Sequence, residues 1–175
     1  MNRIVARTPR LTLKRFSIRD AADLFELNSD PEVIRFTGDV PFASVSEARN
    51  FLRGYKQYDL HGFGRWSLYL TETKEYVGFC GLNFSERKGE VDLGFRLHRR
   101  FWAKGYATEA GFAALRIGFS NYKLEKIVGR AMKENRASLH VLEKLGMTFE
   151  KEFEDDGATW VQMKIFRDEF GNFYE

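Results

Sequence analysis

At 175 residues, 43% hydrophobic and 30% charged, the chain is long enough for one domain with a substantial core. That mix excludes a disordered chain and a membrane-embedded one. The net charge of +3, with no long Lys/Arg run, gives no indication of a nucleic-acid partner but suits a polyanionic small ligand.

Cys80 is the only cysteine, so no intrachain disulfide can form, which is consistent with a reducing compartment. Residues 1–10 carry Arg3, Arg7 and Arg10 but no apolar stretch of signal-peptide length. No window approaches the roughly twenty apolar residues of a membrane span. A cytoplasmic protein with no membrane partner is expected, as a single domain over residues 1–175.

In chain order, alternation around Leu11 and Leu13 predicts a strand over 10–16. Ser17 followed by Asp20 resembles a capping box, and Ala21, Leu24, Phe25 and Leu27 follow at helical spacing. Asp30-Pro31 starts a short helical turn to Arg35. Ser44 and Glu47 form an S-x-x-E box for a helix presenting Ala48, Phe51, Leu52 and Tyr55 on one side. The period then changes. Trp66, Leu68 and Leu70 alternate, an apolar run covers 76–82, and Val91, Leu93, Phe95 and Leu97 alternate again, with polar turns at 72–75 and 86–89. This predicts an antiparallel meander of three strands. A helix is expected over 105–121, a strand over 126–132, and a helix over 137–145 ended by Gly146. Strands over 147–153 and 159–166 are joined by Asp155-Asp156-Gly157, which is hairpin chemistry.

The densest signal is the stretch 101–110, Phe-Trp-Ala-Lys-Gly-Tyr-Ala-Thr-Glu-Ala, directly after the third meander strand. Glycine and small residues at a strand-to-helix joint let backbone N–H groups approach a ligand, and the helix start favours an anion. Arg99, Arg100 and Lys104 add positive charge, while Glu109 in the first turn favours the helix dipole. Neither the G-x-x-x-x-G-K-[ST] nor the G-x-G-x-x-G spacing is present, so nucleoside-triphosphate and dinucleotide loops of those kinds are not indicated.

Trp102-Ala103-Lys104-Gly105-Tyr106-Ala107 resembles the acetyl-CoA loop [Q/R]-x-x-G-x-[G/A] of the GNAT superfamily of N-acetyltransferases. Trp at its first position departs from the broad pattern but matches the W-x-K-G-Y-A-T-E-A form of the RimJ/RimL-like branch, the ribosomal-protein N-terminal acetyltransferases. Thr8-Pro9-Arg10-Leu11-Thr12-Leu13, Ser29-Asp30-Pro31-Glu32-Val33 and Asp92-Leu93-Gly94-Phe95 are similar to that branch in order and spacing. So is Asn135-Arg136-Ala137-Ser138 through Lys144-Leu145-Gly146-Met147.

The resemblance implies a single-domain α/β fold. Its central sheet is mixed and mostly antiparallel, with helices on both faces and splayed middle strands. It implies transfer of an acetyl group from acetyl-CoA to a primary amine by direct aminolysis, without a metal. Pantetheine would pair with backbone around Phe95, Arg96 and Leu97. Pyrophosphate would meet the loop of Trp102, Lys104, Gly105, Tyr106, Ala107 and Thr108, and Asn135 would touch the cofactor or fix its loop.

Asp92 lies near the position where the superfamily often carries a base, and Glu90 is next on the same face. Glu152 and Glu154 are weaker candidates. The superfamily's usual acid, a Tyr, is replaced by Leu142, and the branch instead points to the Ser138 hydroxyl as donor to the sulfur. Transfer through Cys80 is disfavoured because that residue sits in an apolar strand. His61, His98 and His140 show no metal-ligand spacing, and His98 is expected at the surface.

The acceptor site is expected between residues 36–58, 62–66 and the late hairpin. A protein N-terminus, another peptide terminus, a polyamine and a small antibiotic amine stay open as acceptors. The acidic run of Glu150, Glu152, Glu154, Asp155 and Asp156 reads as a solvated turn or as an attractor for a cationic acceptor. A monomer or a homodimer is compatible with the sequence. The competing function is a non-catalytic acetyl-CoA-binding sensor that keeps the loop and lacks a working base.

Overall fold

The computed structural model describes residues 3–172. One eight-stranded sheet runs through them in the order β1-β2-β3-β4-β5-β6-β8-β7. Its strands are β1 (Ile4–Arg7), β2 (Leu11–Arg15), β3 (Arg65–Leu70), β4 (Tyr76–Ser85), β5 (Glu90–Leu97), β6 (Lys126–Met132), β7 (Thr148–Asp155) and β8 (Ala158–Phe166). The helices are α1 (Ala21–Ser29), α2 (Pro31–Ile34), α3 (Val45–Arg53), α4 (Gln57–His61), α5 (Tyr106–Arg116), α6 (Arg136–Lys144) and α7 (Arg167–Asn172). All pairings are antiparallel except β5 with β6.

The β3–β4–β5 meander and the strand over 126–132 stand where the sequence pattern puts them. The β7–β8 hairpin closes through Asp156 and Gly157 with φ of 49° and 74°, the paired left-handed residues of a type I′ turn. Gly146 follows α6 with φ 84°, and the Met147 N–H reaches back to the Leu142 carbonyl at 3.1 Å, a Schellman closure.

Several expectations need correction. β1, α4 and α7 carry too little apolar periodicity to be read from sequence. The helix expected over 105–121 is α-helical only to Arg116 and continues as a π turn, Ile117–Asn121. There Gly118 sits so close to Ile127 and Leu82 that a Cβ would come within 2.7 and 2.9 Å of them. On the side expected to carry Ala48, Phe51, Leu52 and Tyr55, Phe51 is 45% exposed and Tyr55 lies beyond α3, although its hydroxyl accepts the Arg65 N–H at 2.7 Å.

The core has two parts, one on each face of the sheet. The larger packs α5 and α6, through Ala110, Ala114, Leu115, Leu142 and Leu145, against Leu82, Leu93, Ile127 and Ile165. The smaller joins Ala21, Leu24, Leu27, Val33 and Leu52 of the N-terminal helices to Tyr76. Helices therefore cover both faces, but over β6, β8 and β7 the side opposite α5 carries polar residues instead.

Candidate active site

The site begins where the sheet parts. β5 and β6 are paired only at Asp92↔Val128 and Leu93↔Gly129. Beyond that point β5 stays with β4 through Leu97, while β6 leaves with β8, so the two C-terminal ends diverge. His98 donates its N–H to the Val77 carbonyl of β4 at 3.0 Å. Backbone groups alternate direction along a strand, so those of Arg96 also face β4, and those of Phe95 and Leu97 face the gap. The Leu97 carbonyl accepts the Trp102 indole N–H at 2.8 Å, which leaves Phe95 as the open strand edge. The expected 95–97 segment thus divides by direction: Phe95 and Leu97 line the gap, and Arg96 does not.

The loop after β5 ends at the start of α5. Ala103 and Gly105 have φ of 56° and 81°, two left-handed residues that turn the chain sharply. Gly105 is the N-cap residue and gives no side-chain cap. Glu109 is the first residue whose N–H closes an α-helical bond, to Gly105 at 3.0 Å. Among the described residues, the N–H groups from Ala103 to Thr108 have no protein acceptor. Such a cluster, with about half a positive charge of helix dipole behind it, is suited to a phosphate.

Arg10 belongs to this loop, a role that the sequence pattern did not reveal. Its Nε reaches Glu109 at 2.6 Å, its Nη1 reaches the Lys104 carbonyl at 2.8 Å, and its guanidinium lies 4.3 Å from the Tyr106 ring centroid. Glu109 also accepts the Thr8 hydroxyl at 2.5 Å and the Arg10 N–H at 2.8 Å. Burial pushes the Glu109 carboxyl up, but these bonds outweigh it and hold the group below its usual range. Glu109 is therefore a clamp between the β1–β2 turn and α5 as well as a partner for the dipole.

α6 starts across the gap, at the end of β6. Asn135 is its N-cap and accepts the Ser138 N–H at 3.2 Å, so its side chain fixes the helix start. Ser138 is half-buried, and its hydroxyl has no protein partner among the described residues. Leu142 is 2% exposed and so close to β6 that a Cβ on Gly129 would lie 2.7 Å from it.

The candidate bases lie on the opposite face of the sheet from α5, and both are ion-paired. Asp92 accepts from Arg65 in a short contact and lies 3.4 Å from Arg130. Glu90 meets Arg130 at 2.5 Å and Lys126 at 3.5 Å. Burial lowers the Arg65 guanidinium, but Asp92 more than offsets that and raises it. Gly94 leaves room for Arg65: a Cβ there would stand 2.5 Å from its Nη2. Glu152 pairs with Lys133 at 2.9 Å, and Glu154 accepts the Thr159 hydroxyl at 2.6 Å.

Cys80 is fully buried and burial pushes its thiol up to about 12, which suits a core residue and not a nucleophile. His98, expected at the surface, is 6% exposed between the ring of Tyr76 and the 3₁₀ turn Arg99–Phe101. Among the described residues no group of His, Cys, Asp and Glu could hold a metal ion, and no helix is long and apolar enough to cross a membrane.

A cleft of about 300 Å³ opens on this second face, between the loop at Thr37–Gly38 and the β7–β8 hairpin. Of the segments expected to form the acceptor site, residues 37–38 and the hairpin line this cleft, and 62–66 do not.

Comparison with known proteins matches these features. Residues 10–148 match the acetyltransferase (GNAT) domain family. The chain is 35% identical over 147 residues to the uncharacterised N-acetyltransferase p20 of Bacillus licheniformis, covering 83% of this chain and 82% of that protein. A GNAT-family acetyltransferase structure from Bacillus anthracis superposes with a TM-score of 0.81 at 24% identity, over 93% of this chain and 98% of that one. Spermidine N-acetyltransferase from Vibrio cholerae, solved with CoA and spermine, superposes with a TM-score of 0.78 at 21% identity, over 94% and 100%. With its sheet parted beside an uncapped helix start, and a family match over most of its length, the chain belongs to the GNAT acetyltransferase domain family.

Proposed function

We propose that the protein transfers the acetyl group of acetyl-CoA to a primary amine by direct aminolysis. The observation that carries this reading is the combination of an open β5 edge and an uncapped α5 N-terminus on one strand-to-helix joint. Acetyl-CoA supplies an acyl group already activated as a thioester. In this reading the N–H groups of Lys104, Gly105, Ala107 and Thr108 receive the pyrophosphate. Phe95 offers its N–H and C=O to a pantetheine amide, as one strand does to another.

Ser138 stands at the start of α6 beside the gap and donates its hydroxyl to the sulfur, where charge grows as the thioester opens. Asp92 lies one residue before Leu93, the last position paired before the strands part, on the cleft side, and takes the amine's proton through a water. The free hydroxyl of Ser138 and the buried Leu142 support the RimJ/RimL-like arrangement over a tyrosine acid. The spermidine acetyltransferase supports amine acceptors as a class. The lone, buried Cys80 thiol suits a cytoplasmic location.

The test is ligand stabilisation. Acetyl-CoA at about one hundred times its Kd should add about 2.7 kcal/mol, raising Tm by roughly 5–10 °C. Gly105→Val should abolish the rise, because the φ of 81° disfavours a β-branched residue and an added Cβ would lie 3.2 Å from Arg10. No stabilisation of the wild type at millimolar acetyl-CoA would refute the reading.

A further inference from the structure

The cleft on the second face is lined by two half-buried cations, Lys88 and Arg130, and by two carboxylates, Asp155 and Asp156, at its exposed end. Its floor is Arg130 and Met132 of β6, the strand that flanks the gap. One wall is the pair Phe153 and Trp160, whose rings stack with centroids 6.4 Å apart at 14°. Trp160 packs against the loop at Gly38, where an added Cβ would lie 3.7 Å from the indole. Lys88, from the β4–β5 turn, extends over the Phe153 ring with its Nζ 4.1 Å from the centroid.

Lys88 is half-buried and forms no salt bridge among the described residues. Burial pushes its ammonium below the usual range, and Arg130, Arg87 and Lys151 push it further down against the pull of Asp155. Arg130 gives its Nε to Gln162 at 2.7 Å and one N–H from each Nη to Asp92 and Glu90. A guanidinium has five N–H donors, so two remain without a protein acceptor among the described residues. The carboxylates of the lining, Asp155 and Asp156, are exposed at the hairpin end, and Asp155 lies 3.5 Å from Arg87. The interior therefore holds a flat aromatic wall beside two cations with unused donors.

We propose that the acceptor is a small amine with a flat apolar body and an acidic group, with the ring against Phe153 and Trp160 and the acid on Lys88 and Arg130. This deepens the transferase reading and rests on it. A volume near 300 Å³ is at the lower end of small-molecule sites, so it fits one such molecule and not a folded partner. A polyamine would bring an ammonium group against Lys88, which no carboxylate pairs among the described residues, in a partly desolvated site where like charges repel.

Matched acceptors provide the test: tryptophan against tryptamine, phenylalanine against phenethylamine, and spermidine, by thiol release from acetyl-CoA. The acid-bearing member of each pair should have a kcat/KM about tenfold higher or more, the value of one charge-assisted hydrogen bond. Lys88→Glu should reverse that ratio, and Lys88→Arg should keep it. A preference for spermidine, or a ratio unchanged in Lys88→Glu, overturns the proposal.

If no amine is turned over although acetyl-CoA stabilises the protein, the transferase reading fails. The cleft is then judged by calorimetric binding of the same pairs to the CoA-saturated protein. A preference for the acid-bearing member that Lys88→Glu erases supports the proposal, and equal or absent binding overturns it.

Discussion

Ser138 and Leu142 are four residues apart on α6, so one sequence pattern places both near one side of the helix. Their surroundings differ. Ser138 sits in the first turn with a free hydroxyl beside the parted strands, and Leu142 is sealed against Gly129 of β6. A tyrosine at 142 would overpack that contact, so the absence of the usual acid is part of the core and not a gap in the site. Ser138→Ala should lower kcat by about 10²–10³, the usual cost of one lost transition-state donor, with little change in the KM for acetyl-CoA. A kcat within a factor of two or so of wild type would return Ser138 to a helix-start residue. The place of Ser138 in the first turn of a helix was legible in the sequence through its motif. The burial of Leu142 was not, because it depends on Gly129, a residue of β6 distant in the chain, having no Cβ beneath it.

At the scale of elements, the joint between β5 and α5 was legible because its signals are local: glycine, small residues and the change of period. What holds the joint in place was not. Arg10 and Glu109 are far apart in the chain and meet only because α5 packs over β2 and the turn that precedes it, so their spacing carries no signal. Arg10→Ala removes the Glu109 pair and the bond to the Lys104 carbonyl. Arg10 is 46% exposed, so the expected cost is about 1 kcal/mol, a Tm loss of about 2–4 °C.

The same change should raise the KM for acetyl-CoA several-fold by loosening the loop, and Arg10→Lys should recover stability in part. The folded Glu109 carboxyl is held below its unfolded range, so its contribution is present above that range and lost as pH falls through the folded value. The Tm difference between wild type and Arg10→Ala should therefore be largest at neutral pH and shrink in acid. A constant difference across that range would show that the Glu109 pair contributes nothing.

Across the whole sheet, charges of alternating sign run from β3 to β7: Arg65, Asp92, Arg130, Glu90, Lys126, Glu150 and Lys164. The sequence showed Glu90 and Asp92 on one face, because alternation is local. It could not show their partners, since these come from β3 and β6, and the register of the parallel β5–β6 pair is set by the helix between them. The ladder gives Asp92 a structural function beside its proposed catalytic one, and a single substitution can separate the two.

Asp92→Asn keeps the shape and removes the charge, leaving Arg65 and Arg130 facing each other across an amide. Both oxygens lie in a partly exposed site, so the expected loss is about 2 kcal/mol, below the 3–5 kcal/mol of a fully buried pair. That is a Tm lower by about 4–8 °C. If Asp92 also takes the amine's proton, the mutant's kcat/KM should be strongly reduced at neutral pH. It should climb back toward wild type as pH approaches the acceptor's own pKa, where free amine no longer needs a base. A deficit of the same size at every pH, measured below the mutant's Tm, would leave Asp92 as a member of the ladder alone and make Glu90 the next carboxylate to replace.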